Sequence, residues 1–490
     1  MTLRFSSRKQ RVFATLFVCA LVSACGSTTI EHDVVLRGVT VVDVETGALN
    51  EDRTIAIDDS LIVFVGEDAG RSHQGRIEID GAGRYAIPGL WDMHVHIEGA
   101  DLVEDNLLLF PVYLAYGVTT VRDMASDLGE QVLVWRDEIN RGDLLGPRIY
   151  TAGRKIEGVN SMWKDDLEVA DEAEMRAMMD RLDAYRVDFV KVTDNTLSAD
   201  LFLSTVREAR ARGYRVSGHV PYGSSVEELV TAGISTIEHA SYMIRLGAER
   251  EAEIAASVRS GEFTRGDAQA RYDASFDQEQ AILGYEMLAD RGVYVTPTLI
   301  QGQLSAYLDE TDHSRDEFQR YLTEAFMAPY GPRAARILNS SPAQRRRRRE
   351  NFHRILAQVP AMHAAGVQLL GGSDSAPIAA FVYPGLALHQ ELQLFQQAGL
   401  SPLSALQTVT LNGAEFVGER DAVGTLDVGM LASIVLLREN PLEDIAATLS
   451  IEVVVSRGDV FDRQTLDRML DQAATQASAL DTTRRDLRGR

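Results

Sequence analysis

The chain has 490 residues, of which 45% are hydrophobic and 25% charged, a composition typical of a globular protein with a large core. Its formal net charge of -23 argues against nucleic-acid binding as the main activity, because contacts with phosphates need a basic surface. The only cysteines are Cys19 and Cys25, which argues against thiolate metal sites and against a disulfide in the mature chain.

The N-terminus has the pattern of an export signal. Basic residues precede an apolar segment, Val12 to Leu21, that is too short to span a bilayer as a mature helix. The residues around Cys25 resemble a bacterial lipobox, in which this cysteine is lipidated and becomes the first mature residue. We therefore expect residues 1–24 to be a lipoprotein signal peptide, and the protein to be exported and membrane-anchored on the periplasmic side or in the cell envelope. Plain secretion is the alternative.

The sequence predicts an α/β fold with a barrel between two β segments. Residues 25–88 should contain the lipidated N-terminus and short strands separated by turns. Residues 89–412 alternate apolar strands with amphipathic helical segments, which fits a (β/α)8 TIM barrel. The eight predicted strands are Leu90–Ile97, Thr119–Met124, Arg148–Thr151, Asp188–Thr193, Arg215–Val220, Ser235–Ala240, Val293–Leu299 and Val367–Asp374.

Two charged segments with helical spacing, Glu251–Gln280 and Gln303–Glu350, interrupt the barrel before and after its seventh strand. The second contains five consecutive arginines, Arg345–Arg349. Such a run could bind an anionic partner such as lipid head groups, but a solvated helix face balanced by nearby acids is the simpler interpretation.

The pattern returns to strands in residues 413–462. We expect them to join the strands that precede the barrel in one small composite β-sandwich. Residues 463–490 are predicted to be a polar helical tail.

Side chains that can bind metals occur at the predicted carboxyl ends of the barrel strands, where barrels of this kind place functional residues. They are His94, His96, Lys191, His219, His239 and Asp374. His94 and His96 are two residues apart on a strand, so they share one face and could bind one cation. Taken singly, a strand-end histidine can be a core residue and Asp374 a helix cap, but the set predicts a metal centre.

Lys191 needs separate treatment, because an ordinary lysine has a pKa of about 10.4 and would be a cation beside cations. If Lys191 is held neutral and reacts with carbon dioxide, the resulting carbamate is anionic and its two oxygens could bridge two metals. A lysine paired with an acid is the alternative.

Seven motifs together resemble the amidohydrolase superfamily and, within it, the imidazolonepropionase-like and prolidase-like hydrolases. They are Pro88-Gly89-Leu90-Trp91-Asp92-Met93-His94-Val95-His96, Gly117-Val118-Thr119-Thr120-Val121-Arg122-Asp123, Asp188-Phe189-Val190-Lys191-Val192, Gly218-His219-Val220-Pro221, Ile237-Glu238-His239, Gly372-Ser373-Asp374 and Gly424-Thr425-Leu426-Asp427-Val428-Gly429. The resemblance covers nearly all of the mature chain.

The resemblance implies a role for each candidate ligand. His94 and His96 would bind the more buried metal, Lys191 would bridge as a carbamate, and His219 and His239 would bind the second metal. Asp374 would bind the first metal and act as the catalytic base on a metal-bridging hydroxide. Two divalent metal ions are therefore expected; nitrogen and oxygen ligands suit Zn²⁺ best but also cobalt, manganese or iron.

These residues predict a metal-dependent hydrolase of a C–N bond in a small amide or peptide substrate, such as a dipeptide, an N-acyl amino acid or a cyclic amide. Tyr222, just after His219, is predicted to contact the substrate, with packing in a loop as its alternative role. Two other functions stay open: a mononuclear cyclic-amide hydrolase or deaminase without the carbamate, and a non-catalytic ligand-binding lipoprotein. The sequence leaves the oligomeric state undecided.

Overall fold

The computed structural model describes residues 29–69 and 71–488. The predicted signal peptide and Cys25 lie outside the described residues. Among the helices within these ranges, none is both long enough and apolar enough to cross a membrane.

Five strands precede the barrel, as the turn residues in this part of the sequence predict. They are β1 (Ile30–Val42), β2 (Leu49–Asp58), β3 (Leu61–Gly66), β4 (His73–Asp80) and β5 (Tyr85–Pro88). The long strand β1 is antiparallel to β2, and it is parallel to β4 along its first half and to β5 near its end. The small sheet therefore holds β5, which leads through Gly89 directly into the barrel.

Nine short parallel strands form the wall of the barrel. They are β6 (Leu90–Val95), β7 (Val118–Asp123), β8 (Arg148–Thr151), β9 (Ile156–Gly158), β10 (Leu167–Val169), β11 (Val190–Val192), β12 (Val216–Gly218), β13 (Thr236–Glu238) and β14 (Tyr294–Thr296). Seven of the eight predicted strands are present among them. Strands β9 and β10 were not predicted.

The eighth predicted strand, Val367–Asp374, has no regular ladder. It makes isolated bridges to β14 through Leu369 and to β6 through Ser375. The parallel strands consequently form two sheets, β6-β7-β8 and β10-β9-β11-β12-β13-β14, which this irregular segment joins. At the end of this segment Asp374 has a φ of 56°, which is incompatible with an extended strand at that position.

Helices surround the barrel and fill both insertions. Up to the end of the barrel they are α1 (Val103–Ala115), α2 (Glu130–Arg141), α3 (Glu172–Tyr185), α4 (Ala199–Ala211), α5 (Val226–Ala232), α6 (Glu251–Arg259), α7 (Arg265–Ala274), α8 (Gln278–Asp290), α9 (Leu299–Tyr307), α10 (Glu324–Met327), α11 (Tyr330–Leu338), α12 (Pro342–Leu356), α13 (Gln358–Ala364), α14 (Leu386–Ala398), α15 (Pro402–Thr408) and α16 (Leu411–Val417). Four 3-10 helices are Ala240–Gly247, His313–Arg315, Glu317–Tyr321 and Ile445–Leu449.

The arginine run lies in α12, which begins with a capping box between Ser341 and Gln344. Within the run, Arg345 and Arg349 both pair with Asp309, at 3.5 and 2.7 Å. For these two arginines a nearby acid balances the charge.

Three strands after the barrel complete the small sheet. They are β15 (Ser433–Leu437), β16 (Ile451–Ser456) and β17 (Asp459–Asp462). β15 is antiparallel to β5, so segments from before and after the barrel share one structure, as predicted. The hydrogen bonding is continuous, in the order β17-β16-β15-β5-β1-β2-β3 with β4 beside β1, and the curved sheet encloses its own apolar core.

The predicted polar tail is one long helix, α17 (Arg463–Arg488). Its buried residues include Leu466, Met469 and Ala473, which belong to the main core. Near its end, Arg484 donates to both carboxylate oxygens of Asp105 in α1, at 2.7 and 2.5 Å. The tail therefore packs against the helix that follows the first barrel strand.

Candidate metal centre

The six predicted ligands line one cavity of about 180 Å³. They are His94, His96, Lys191, His219, His239 and Asp374. Each stands in or just after the strand, or in the irregular eighth segment, to which the sequence assigned it, so the carboxyl ends of the parallel strands bring them together.

Asp374 is at the centre of this group. Its Oδ1 lies 3.3 Å from Nε2 of His94 and 3.4 Å from Nε2 of His96. His94, His239 and Asp374 each offer a ligand atom, and these three atoms lie within 4.8 Å of one another. The ring of His219 follows, with its centroid 5.2 Å from that of His239. The donors therefore form a compact set of nitrogen and oxygen atoms.

A buried carboxylate fixes the orientation of His94. Its Nδ1 lies 2.9 Å from Oε2 of Glu238, and Arg122 donates to the same carboxylate from the interior of the barrel. Burial raises the pKa of Glu238, but the charge of Arg122 and the bond with His94 hold that pKa well below its usual range. Because Glu238 is ionised, it accepts from Nδ1 of His94, and Nε2 is the nitrogen that faces Asp374.

The other histidines also contact neighbours through Nδ1. His239 lies 2.7 Å from Oγ1 of Thr298, and His96 lies 3.2 Å from the carbonyl oxygen of Ala125. Nδ1 of His219 lies 3.5 Å from Asp194. Such contacts hold the rings in place and leave the other nitrogen for a ligand.

Two buried polar atoms test whether the cavity fits a metal. Nε2 of His94 and Nζ of Lys191 are enclosed, and neither has a hydrogen-bond partner among the described residues. Leaving a buried polar atom unpaired costs free energy, so both call for a partner. Burial lowers the pKa of Lys191 to about 8, which makes its neutral form accessible. The donor set and the unpaired nitrogen of His94 fit a divalent cation.

Backbone conformations at the site are unusual. His239 and Asp374 have φ values of 72° and 56°, in the left-handed region that non-glycine residues seldom adopt. Such conformations cluster at functional sites, where the surrounding structure holds them. Gly372 permits the close approach of the eighth segment, because a Cβ there would lie 2.7 Å from Cβ of His94.

The sequence analysis missed eight residues of the cavity wall, among them Glu98, Lys155, Trp163, Gln301 and Arg333. Glu98 could have been found, since it follows His94 and His96 at the same spacing of two. Lys155 and Trp163 lie on the loops beside β9, and Gln301 and Arg333 lie on α9 and α11, where no strand-end rule applies.

Tyr222 is not among the residues that line the cavity. Its hydroxyl donates to Oε1 of Gln269 on α7 at 2.8 Å. Its contact with a substrate stays a prediction. Tyr242, which was not predicted, is the aromatic residue beside the ligands, with its ring centroid 5.7 Å from that of His219.

The sequence profile of the amidohydrolase family matches residues 85–461, which include the whole barrel and all six candidate ligands. The chain therefore belongs to the amidohydrolase family, a class of metal-dependent hydrolases. This confirms the resemblance found in the sequence motifs.

Two relatives differ in how much of the chain they match. Ochratoxinase of Aspergillus niger is 24% identical over 454 residues, which cover 80% of this chain and 78% of the ochratoxinase. Adenine deaminase of Paracoccus denitrificans is 34% identical over 112 residues, which cover 22% of this chain. That match spans only 18% of the length of the deaminase, so it is local.

Solved structures share the fold. A bottromycin amidohydrolase superposes with a TM-score of 0.69 at 20% sequence identity, over 90% of each chain. A Xaa-Pro dipeptidase with methionine bound in its active site gives a TM-score of 0.63 at 20% identity, over 88% of this chain and 99% of the dipeptidase. These similarities support the barrel architecture that the sequence predicts.

Proposed function

We propose that the protein is a metal-dependent amidohydrolase that hydrolyses a C–N bond in a small substrate such as a dipeptide or an N-acyl amino acid. The observation that carries the proposal is the convergence of four histidines, Lys191 and Asp374 on one cavity. Two proteins that share the fold, the bottromycin amidohydrolase and the Xaa-Pro dipeptidase, have names that denote cleavage of amide or peptide bonds, which supports the proposal.

Two divalent metal ions, with Zn²⁺ as the expected species, would be held by His94, His96, His219, His239 and Asp374, with Lys191 between them as a carbamate. When bound, the metals supply Lewis acidity, which lowers the pKa of water and polarises a carbonyl group. The carbamate is supported by the unpaired Nζ of Lys191 and by its pKa of about 8, since only a neutral amine adds to carbon dioxide.

Asp374 is the proposed catalytic base and acid. Although burial raises its pKa, the neighbouring histidines hold that pKa well below the usual range, so the group is ionised and neither of its oxygens carries a proton. Gln301 donates to its Oδ2 at 2.7 Å and fixes the carboxylate plane. Asp374 takes the proton from the attacking water and passes it to the amide nitrogen. Protonation makes this nitrogen a good leaving group.

The size of the cavity supports a small substrate. Its volume of about 180 Å³ lies below the roughly 300–1,000 Å³ of pockets that hold drug-sized ligands. Trp163, Ala376 and Ile378 supply apolar surface in the same wall.

A mononuclear cyclic-amide hydrolase or deaminase, in which Lys191 stays an amine, is the second candidate. The local match to adenine deaminase favours it. A non-catalytic ligand-binding lipoprotein has less support, because a binding protein has no need for a proton-accepting carboxylate beside its ligands.

Export and anchoring through a lipid on Cys25 are also proposed. The support is the lipobox-like sequence from Leu21 to Gly26 together with the basic and apolar segments before it.

Metal analysis of the purified full chain, combined with hydrolysis of a library of dipeptides, N-acyl amino acids and adenine, tests the proposed function. We expect about two metals per chain and release of free amino acids. One metal per chain in fully active protein, or ammonia release from adenine, would favour the second candidate. A metal-loaded protein that turns over no member of the library would contradict the proposal.

A further inference from the structure

Arg333 brings a positive charge to the wall of the metal-site cavity. It stands on α11, in the insertion after the seventh barrel strand, and it is only partly exposed. Among the residues that the structure describes, Arg333 forms no ion pair with a carboxylate, and its guanidinium donates to a neutral side chain. An arginine keeps its charge even when partly desolvated, so the cavity wall carries a cation without an adjacent counter-ion.

Gln301 connects this cation to the proposed proton-transfer group. Its Oε1 accepts from Nη2 of Arg333 at 2.9 Å, and its Nε2 donates to Oδ2 of Asp374 at 2.7 Å. A single amide group therefore separates the guanidinium from the carboxylate that delivers the proton to the leaving nitrogen.

The arrangement of Arg333, Gln301 and Asp374 suits a substrate whose leaving group is an α-amino acid. In such a leaving group the carboxylate carbon is two bonds from the nitrogen, which places the two atoms about 2.5 Å apart. A carboxylate that occupies Arg333 would hold the adjacent nitrogen on the side of the cavity where Asp374 can protonate it. Guanidinium groups favour carboxylates because the two planar groups can form paired hydrogen bonds.

We propose that Arg333 binds the free α-carboxylate of the substrate's leaving group, and that the substrates are N-acyl amino acids or dipeptides cleaved at the nitrogen next to that carboxylate. The inference rests on the proposed function and names its substrate class. In the reaction, the oxygen of water bonds to the acyl carbon, the C–N bond breaks and the nitrogen gains a proton. The products are a carboxylic acid and a free amino acid.

Lys155 is the other cation in the cavity wall, but its charge is already balanced. Its Nζ lies 3.0 Å from Oδ1 of Asp166 and 5.3 Å from the ring centroid of Trp163. Asp374 is the acid that faces Arg333, and in the proposed function it is a metal ligand. Arg333 is therefore the cation that remains for an anionic substrate.

The test compares acids with their carboxamides on the metal-loaded full chain. Library members that are hydrolysed are assayed beside the same compounds with a carboxamide in place of the carboxylate. We expect wild-type kcat/KM to be roughly 10- to 100-fold higher for the acid, the range expected of a hydrogen-bonded charge. Arg333→Met should remove most of this preference by slowing the acid alone, and Arg333→Lys should restore part of it. Arg336→Met, an exposed arginine on the same helix, is the control and should leave the preference unchanged.

Loss of activity toward acid and carboxamide by the same factor in Arg333→Met would overturn the inference, because it would make Arg333 a structural partner of Gln301. So would a wild-type enzyme without a preference for the acid. Calorimetric titration with N-acetyl-L-alanine and its carboxamide separates the inference from the proposed function. Tighter binding of the acid that depends on Arg333 supports the inference even without hydrolysis, and equal binding by wild type and Arg333→Met contradicts it.

Discussion

Nδ1 of His94 and Oε2 of Glu238 lie 2.9 Å apart, with both side chains enclosed inside the barrel. This contact selects the tautomer of His94 that offers Nε2 to a metal. Because Arg122 donates to the same carboxylate, Glu238 is held as an anion that accepts from His94.

Glu238→Gln should therefore weaken metal binding by about 10- to 100-fold, the usual effect of losing a partner of a ligating histidine. Activity should recover at high metal concentration. Metal titration followed by activity and by direct metal analysis measures both effects. The control is Glu251→Gln, which disrupts the buried pair with Arg245, a pair that has no contact with His94. Equal metal affinity in Glu238→Gln and wild type would show that the contact between Glu238 and His94 does not affect metal binding.

Asp374→Asn separates metal binding from proton transfer. The amide keeps an oxygen for the metal but cannot take up a proton. We expect most of the metal to be retained and kcat to fall by roughly two to four orders of magnitude. Metal analysis and steady-state kinetics on the same preparation decide this. Near-normal turnover would exclude Asp374 as the base.

Lys191→Ala should lower metal content and activity together, because a carbamate is a ligand. A short carboxylic acid in the buffer should restore part of both by occupying the vacated position. A variant that kept two metals and full activity would contradict the bridging role.

The low pKa of Lys191 gives a pH dependence to reactivation of the metal-free protein. With a pKa of about 8, the neutral fraction of this amine rises about tenfold from pH 6 to 7 and levels off above pH 8. Since only the neutral amine adds to carbon dioxide, the rate of reactivation by metal should rise with pH over the same interval when the concentration of dissolved carbon dioxide is held constant. Stopped-time activity assays follow this rate. A rate that does not change between pH 6 and 8 would count against the carbamate.

The positions of the four candidate histidine ligands could be predicted because they depend on local rules. Alternation on β6 placed His94 and His96 on one face, and strand-end positions identified His219 and His239. The partners of the ligands could not be predicted in the same way. Glu238 contacts Arg122, which lies far from it in the sequence and across the barrel in the structure. Gln301 and Arg333 reach the cavity from helices whose orientation depends on tertiary packing.

The fold shows the same division. Periodicity identified seven barrel strands, but it did not show that the eighth segment makes isolated bridges in place of a ladder and ends in the left-handed backbone of Asp374. The strands β9 and β10 were missed because the polar segment around them has no apolar run like those that contain the equally short strands β11 to β14.

Arg484→Met tests how firmly the C-terminal helix is held. Asp105 is 2% exposed, and removing Arg484 leaves its carboxylate without a counter-ion. Because this pair is partly open to solvent, we expect the free energy of unfolding to fall by about 2–3 kcal/mol, less than for a fully buried pair. Adding Asp105→Asn should recover part of the loss. Arg485→Met is the control: its pair with Glu324 is exposed and should contribute about 0–1 kcal/mol. Denaturant unfolding with equal losses in the two arginine variants would contradict the assignment.

Cys25→Ser tests the proposed anchor. If a lipid on this cysteine holds the protein, the variant should leave the membrane fraction, because no apolar segment of the mature sequence reaches the roughly 18 residues needed to span a bilayer. Fractionation with immunodetection measures the distribution. Retention of the variant would point to another attachment, such as the exposed Arg346 and Arg347 of α12.

The pairing of β5 with β15 sets the order in which the protein can be completed. Pro88 opposes Ile434, a partner synthesised about 350 residues later, so closing this contact orders a very long stretch of chain. β5 leads through one glycine into the strand that carries His94 and His96. β6 is thus the first barrel strand to be synthesised, but the strand that precedes it, β5, pairs with β15, one of the last strands to be synthesised. For the metal-binding strand, the order of synthesis and the order of assembly are opposed, and contacts so distant in sequence favour slow folding.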